Sequence, residues 1–242
     1  MTPDKLARAD PAPEEDWKQT LLQRWKPLQW LKFCGTAAFT AVFFQGYFQV
    51  LRHPSREPFD MPLTPLDSWV PFTPSAIWVY LSLWVYVGSA PALLPNLRDL
   101  LRYAAWAAAL CSSGLLLFWW WPTAVPTELH RLDPAVLAHG LHGGFAVLRG
   151  VDAAGNACPS LHVATAVFTG IWVHRQLAAV GAPAWLRHLN LGWCAAIAWS
   201  TLAVRQHVVL DVLAGAALGV LFAAMSLRWG PAPRPLSHGQ PL

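Results

Sequence analysis

The sequence predicts an all-α, polytopic membrane protein with six transmembrane helices. Of its 242 residues, 55% are hydrophobic and only 12% are charged, whereas soluble domains carry about twice that charged fraction. Its 15 tryptophans are typical of a chain that meets the membrane–water boundary. Six apolar runs also approach the roughly 20 residues needed to cross a bilayer. The modest net charge of +4 requires no nucleic-acid partner.

Residues 1–28 are predicted to form a cytoplasmic N-terminal segment. Residues 1–13 are polar and contain prolines, so we expect them to be disordered. The first 27 residues mix both charge signs and lack the apolar core of a secretory signal peptide. A short amphipathic helix is expected from Glu14 to Leu28, either lying on the membrane surface or simply leading into the first span. Its apolar residues recur at helical spacing: Trp17, Leu21, Trp25 and Leu28.

The six-helix transmembrane domain is predicted over residues 29–228, and residues 229–242 are predicted to form a disordered cytoplasmic tail. Six spans place both termini on one side of the membrane. Twelve of the 17 Lys and Arg residues then lie on that side, which the positive-inside rule assigns to the cytoplasm. We therefore expect a multi-pass protein of the plasma (inner) membrane. The predicted spans are 29–50, 69–90, 100–121, 161–179, 189–204 and 207–227.

The longest connection, from Pro122 to Pro159, is too polar to cross the membrane and is predicted to be functional or to cap the bundle. A short helix from Asp133 to about Leu148 is expected within it. His139 and His142 stand three residues apart there and could suggest a metal, but no third ligand accompanies them. The four cysteines show neither disulfide nor zinc spacing. No metal and no cofactor are predicted.

The candidate chemistry lies where the fourth and sixth spans begin, because both beginnings face the same outer side. Ser160 is a good helix N-cap, preceded by a proline, and a helix N-terminus attracts anions. His162 follows in the first helical turn. His207 and Asp211 stand four residues apart, which places them on one helical face, with Arg205 two residues before the histidine.

This set of side chains suits phosphoryl transfer. An arginine and backbone amides can hold phosphate oxygens. One histidine can attack phosphorus while a carboxylate fixes its tautomer, and a second histidine can protonate the leaving alkoxide. Each part also has a structural interpretation: the His–Asp pair could be an ordinary hydrogen bond, and the Pro-Ser-Leu-His stretch could be only a capped helix start. Their occurrence together on one side favours a catalytic site.

The sequence between Leu63 and Gly219 resembles the type 2 phosphatidic acid phosphatase superfamily of lipid phosphate phosphatases. It is most similar to the branch that contains inositol phosphorylceramide synthases and sphingomyelin-synthase-like proteins. The resemblance is carried by Pro65-Leu66-Asp67, Val70-Pro71-Phe72, Trp121-Pro122-Thr123, Asp152, Asn156, Pro159-Ser160-Leu161-His162, Ser200-Thr201, Arg205-Gln206-His207 and Asp211.

The resemblance implies a six-helix core with its active site near the extracytoplasmic surface. It implies that His207 forms a phosphohistidine, that Asp211 orients it, and that His162 protonates the leaving group. The phosphatase pattern has glycine at position 161 and arginine at position 201, where this chain has leucine and threonine. Arg205, with Ser160, is therefore expected to bind the phosphate, and Arg131 or Arg149 is expected to supply the second basic contact.

The expected function is hydrolysis or transfer of a lipid-linked phosphate, with a lipid phosphate and membrane lipids as partners. Water and an alcohol acceptor differ only in what attacks the phosphohistidine. Two other classes stay open: a proton-coupled transporter that uses His207 and Asp211 as a relay, and a membrane protein with a degenerate active site. The lipid, the acceptor and the oligomeric state are not determined by the sequence.

Overall fold

The computed structural model describes residues 16–126, 129 and 155–229, and this part of the chain is mostly helical, which confirms the all-α fold. Two 3₁₀ turns, Pro65–Ser68 and Pro74–Ala76, precede the third helix. Strands β1 (Phe59–Asp60) and β2 (Thr123–Ala124) pair in parallel. The α-helices are α1 Asp16–Trp25, α2 Gln29–Arg52, α3 Ile77–Leu81, α4 Leu83–Tyr86, α5 Ser89–Ala92, α6 Leu97–Trp120, α7 Leu161–Ala179, α8 Ala184–Ala203 and α9 Val209–Arg228.

Several expectations concern residues outside that part of the chain. They are the disorder of residues 1–13, the short helix after Asp133 and nearly all of the tail at 229–242. These expectations remain predictions.

The length and the apolar composition of two described helices indicate a membrane protein. Among the described helices, α6 and α9 are long and apolar enough to cross a bilayer, with mean hydropathies of 1.4 and 2.0. Large apolar side chains also face outward on other helices: Trp30 is 73% exposed, Val42 74% and Val85 82%. A surface of this kind matches a lipid environment better than water. The number of spans, six, stays a prediction.

Five of the six apolar runs coincide with long helices: α2, α6, α7, α8 and α9. The second run, 69–90, was also expected to form one long helix. This expectation is wrong, because the run does not form one regular helix. Its turns are wound tightly, with Val85 N–H donating to Ser82 O at 3.1 Å and Gly88 N–H donating to Val85 O at 3.1 Å. Proline at position 91, which lacks an amide hydrogen, follows within α5. The result is a chain of short helices, α3 to α5.

Helix α7 is the central element because it packs against both α8 and α9. Glycines in α9 allow a very close approach between α7 and α9. A methyl group at Gly215 would overlap the carbonyl oxygen of Ser160, and one at Gly219 would lie 2.5 Å from that of Ala164. The beginnings of these two helices are therefore pressed together, which is what positions the candidate site.

Helix α1 docks on the opposite end of the bundle. Trp17 and Leu21 pack against the core, and Arg24 donates from Nη1 to Gln176 Oε1 on α7 at 2.7 Å. Burial lowers the pKa of Arg24, whereas the charge of Asp99 acts in the opposite direction. The expected short helix is confirmed, and its contact with the membrane surface remains a prediction.

Candidate active site

The site is built at the end of the bundle where α2 and α6 finish and α7 and α9 begin. Ser55 donates to the carbonyl oxygen of Trp119, which joins the ends of α2 and α6. The β1–β2 pair extends this connection, and Thr123 forms a further bridge to Asn156, just before α7. We call this end of the molecule the site end.

Ser160 caps α7 and joins it to α9. Its hydroxyl accepts a hydrogen bond from Val163 N–H at 3.3 Å, as expected for an N-cap. Its own N–H donates to the carbonyl oxygen of Asp211 at 3.0 Å. Ser160 is fully buried. In the structure it links the two helix beginnings, and a contact with phosphate stays a prediction.

His207 and Asp211 lie together, as their spacing predicts. Nδ1 of His207 is 3.5 Å from Oδ2 of Asp211, which is ion-pair distance but long for a hydrogen bond. The same carboxylate oxygen accepts from Val208 N–H at 2.9 Å. Asp211 is fully buried, and among the described residues its Oδ1 has no hydrogen-bond partner. The carboxylate thus faces Nδ1, which leaves Nε2 as the nitrogen of His207 that could act as a nucleophile.

His162 is held by the broken helical segment α3 to α5. Its Nε2 lies 3.0 Å from the carbonyl oxygen of Tyr80, and its ring stacks on the Tyr80 ring with centroids 3.9 Å apart. The ring of Trp84 lies perpendicular to that of His162, with centroids 6.2 Å apart. Because a carbonyl oxygen only accepts, Nε2 carries a hydrogen. Nδ1 is therefore the nitrogen that can exchange a proton with a substrate.

Both histidines line one cavity of about 810 Å³. Gln206, Asn156 and Thr165 contribute polar groups near them, and Asn156 donates from its amide to the hydroxyl of Tyr47 on α2. Most of the remaining lining is apolar or aromatic. The structure therefore brings the two predicted catalytic histidines into the same space, next to a largely hydrophobic chamber.

Arg205 occupies a strained position between α8 and α9. Its φ of 62° lies in the left-handed region, which favours glycine over arginine. The N–H groups of Arg205 and Gln206 donate to the carbonyl oxygens of Leu202 and Thr201, each at 3.0 Å, which forms a Schellman motif. Strain of this kind is concentrated at functional sites. The guanidinium donates from Nη1 to the carbonyl oxygen of Asp67 at 3.2 Å.

Asp67 is the residue that reasoning from the sequence overlooked, although it stands in the Pro-Leu-Asp stretch of the family resemblance. It is 4% exposed. Its Oδ2 accepts from the N–H and the hydroxyl of Thr64, each at 2.7 Å. Its Oδ1 accepts from Val209 N–H, the first residue of α9, at 2.8 Å. The signal was the Thr-x-x-Asp capping pattern, but only the structure shows the bond to α9.

The remaining expected residues cannot be placed. Arg131, Arg149, Asp152 and the His139–His142 pair lie outside the described residues. Within residues 16–126, 129 and 155–229, no three His, Cys, Asp or Glu side chains are grouped as metal ligands.

The arrangement can carry out nucleophilic chemistry at an electrophilic centre. In His207, Nδ1 faces the buried Asp211 carboxylate, so Nε2 is available to a substrate. In His162, Nε2 faces the carbonyl oxygen of Tyr80, so Nδ1 is available for proton exchange. The first turn of α7 adds backbone N–H groups that lack partners within the helix. Such groups stabilise an anion. A phosphate ester meets all three requirements: an electrophilic centre, a leaving oxygen that needs a proton, and negative charge.

A family model described as the PAP2 superfamily matches residues 102–234. That segment is more than half of the chain and contains His162, His207 and Asp211. Neither the curated proteins nor the solved structures contain a match to the chain. Members of the superfamily are usually phosphatases or phosphotransferases, which supports an enzyme of that general kind. Because this family model matches more than half of the chain, the chain belongs to the PAP2 superfamily.

Proposed function

We propose that the protein is a membrane phosphatase or phosphotransferase that acts on a lipid-linked phosphate through a phosphohistidine on His207. The single observation that supports this most is the shared cavity. His162 and His207 line it together, and a buried carboxylate lies 3.5 Å from the second histidine. The apolar remainder of the cavity favours a substrate with a hydrophobic part.

In the first step, the lone pair on Nε2 of His207 attacks phosphorus. The bond between phosphorus and the leaving oxygen breaks, and its electron pair goes to that oxygen. His162, protonated on both nitrogens, gives the Nδ1 proton to the leaving oxygen while Nε2–H stays bonded to Tyr80 O. The phosphorylated imidazole of His207 is cationic, and the Asp211 carboxylate stabilises it. The products are a lipid alcohol and a phosphohistidine.

In the second step, neutral His162 accepts a proton at Nδ1 from the attacking hydroxyl group. The new oxygen–phosphorus bond forms as the nitrogen–phosphorus bond breaks, and the electron pair returns to Nε2 of His207. Water as the acceptor gives inorganic phosphate, and a lipid alcohol gives a new phosphate ester. Transfer is the alternative that the resemblance to inositol phosphorylceramide synthases favours. Neither step requires a metal ion.

The phosphate contacts come from the beginning of α7 and from arginine. The N–H groups of Leu161 and His162 fall in the first helical turn, where no intrahelical acceptor exists, so they can donate to phosphate oxygens. Arg205 would turn from the Asp67 carbonyl oxygen towards the substrate. Arg131 or Arg149 is the candidate for a second basic contact.

The site end is assigned to the outside of the plasma (inner) membrane, with both termini in the cytoplasm. The distribution of Lys and Arg supports this orientation. The grouping of these basic segments on one side is supported by contacts among α1 and the beginnings of α2 and α6, which lie together at the end opposite the histidines. A lipid phosphate of the outer leaflet would then reach His207 without crossing the bilayer.

The decisive experiment traps the intermediate. The full-length protein in detergent is incubated with ³²P-labelled lipid phosphates, phosphatidic acid and a polyprenyl diphosphate, and then quenched in alkali, which preserves phosphohistidine. We expect label on His207 and loss of turnover in His207→Ala by at least about a thousandfold, as for removal of a catalytic nucleophile. Label or turnover persisting in His207→Ala contradicts the assignment.

His188→Ala is the matched control, because His188 is an exposed histidine on α8 far from the site end; it should keep full activity. EDTA should leave the rate unchanged, and a loss that zinc restores would instead support a metal at His139 and His142. Diacylglycerol or ceramide added to the assay separates the two outcomes: transfer forms a new phospholipid, and hydrolysis releases only phosphate.

A further inference from the structure

The cavity that holds the two histidines extends far beyond them. On α2 it is lined by one helical stripe that runs from Lys32 through Thr36, Phe39 and Phe43 to Tyr47. Fifteen residues of α-helix between Lys32 and Tyr47 correspond to about 22 Å along the axis. One leaflet of a bilayer contributes about 15 Å of hydrocarbon, half of the roughly 30 Å core. The cavity is thus deeper than a single leaflet.

The two ends of the cavity differ in chemistry. Tyr47 marks the upper end, where its hydroxyl is bonded to Asn156 beside the histidines. Lys32 marks the lower end, and its ammonium group donates to the carbonyl oxygens of Arg24 at 2.7 Å and Ala92 at 3.2 Å. These bonds tie α1, α2 and α5 together and form a floor. Between the ends the walls are almost entirely apolar.

From this geometry we propose that the cavity is a single-chain site: one hydrocarbon chain of the substrate extends from the phosphate at His207 down the α2 stripe, and the floor at Lys32 limits its length. This proposal rests on the proposed function for its occupant, a long-chain phosphate ester. It concerns α2 and α3 to α5, which lie before the segment matched by the family model.

Gly35 controls the lower part of this site. It lines the cavity, and a Cβ atom added there would meet no atom within 4 Å. It lies twelve residues, about 18 Å, below Tyr47 along the helix axis. We therefore expect a large side chain at position 35 to start in open space and to occupy part of the lower cavity. It should exclude the end of a long chain and leave room for a short one.

Gly192 provides a matched control. It is an exposed helical glycine on α8, and a Cβ atom added there also meets no atom within 4 Å, but it does not line the cavity. Gly35→Phe and Gly192→Phe therefore add the same bulk to similar helical environments. Any difference between them reports occupancy of the cavity and not a general effect of phenylalanine.

The probe is a hexadecyl phosphonate with a photoreactive diazirine at the end of its chain. A phosphonate is not hydrolysed, so labelling does not depend on turnover. We expect cross-links to map by mass spectrometry to residues 31–36 and 97–101 at the bottom of the cavity, and hexadecyl phosphonate to compete for them while octyl phosphonate does not. Cross-links on the outward faces of α8 and α9 would overturn the proposal.

Gly35→Phe should reduce this labelling by roughly tenfold relative to Gly192→Phe, which corresponds to exclusion of about two methylene groups. The ratio of kcat/KM for hexadecyl and octyl phosphate should fall by the same factor. Equal labelling in both variants would also overturn the chain site. Cross-links at the floor without any phosphohistidine would refute the proposed function alone, and phosphohistidine with no chain-length dependence would refute the chain site alone.

Discussion

Replacement of Gly215 by alanine tests whether the close approach of α7 and α9 holds the active site together. The new methyl group would overlap Ser160 O and lie 3.1 Å from the carbonyl carbon and 3.2 Å from the Cβ of the same residue. The two nearest of these atoms belong to the backbone, which cannot move aside by rotation of a side chain. The two helix beginnings must therefore separate. The separation strains the hydrogen bond from Ser160 N–H to Asp211 O, now 3.0 Å.

Two effects of opposite sign determine the change in stability. Overpacking a close contact costs about 1–3 kcal/mol, whereas alanine improves on glycine within a helix by about 1 kcal/mol. Gly192→Ala, where the methyl group meets open space, isolates the second effect. The difference in unfolding free energy between the two variants is then the overpacking cost alone, about 1–3 kcal/mol, or roughly 2–12 °C in unfolding midpoint for a domain of this size.

Activity should fall more steeply than stability in Gly215→Ala. A displacement of about 1 Å between reacting groups can cost roughly a hundredfold in rate, and this substitution moves the helix that carries His162 away from the one that follows His207. The assay compares kcat and the unfolding midpoint of Gly215→Ala with those of Gly192→Ala in the same detergent. If both variants behave alike, the α7–α9 contact does not position the site and the reasoning is refuted.

Asp67→Ala should leave the Val209 N–H without an acceptor and lower the unfolding free energy by about 1.5–3 kcal/mol, as for loss of a hydrogen bond to a charged group. Asp60→Ala, at an exposed residue on β1, should be neutral, and equal thermal stability of the two variants would contradict this role. Glu57 and Ala184 are exposed at opposite ends of the bundle, and each can be replaced by a single cysteine. On intact cells, an impermeant maleimide should label the cysteine at position 57 and not the one at position 184. Labelling at position 184 alone would mean that the topology is inverted. The native Cys158 is a poor reporter because burial raises its thiol pKa to about 11, with Asp211 acting in the same direction.

Much of the site could be predicted from the sequence because its parts are local. A spacing of four residues places His207 and Asp211 on one helical face, and a serine after a proline predicts the N-cap at the start of α7. Both hold in the structure. The order of the predicted spans then implied that both helix beginnings share one side, and the structure places them in contact through Ser160 and Asp211.

The second apolar run and Arg205 have structural features that local sequence patterns did not predict. Hydropathy describes which residues avoid water, but not how tightly a helix winds, so the run at 69–90 was expected as one span and forms several short helices. Arg205 lies two positions before His207 in sequence, and its guanidinium was expected to bind the phosphate. The structure shows a left-handed backbone at Arg205 and a hydrogen bond from Nη1 to the carbonyl oxygen of Asp67, neither of which the sequence indicated, and the phosphate contact stays a prediction.

By itself, the sequence determined the helical class and the approximate bounds of most long helices, and it pointed to the two histidines and the carboxylate as candidate site residues. These features depend on hydrophobic periodicity and on hydrogen bonds between near neighbours, and both can be inferred from local sequence. Only the tertiary structure decided what surrounds them: Tyr80 against His162, Asp67 on the beginning of α9, and the deep cavity along α2. Such contacts join residues that are far apart in sequence, so no local pattern specifies them.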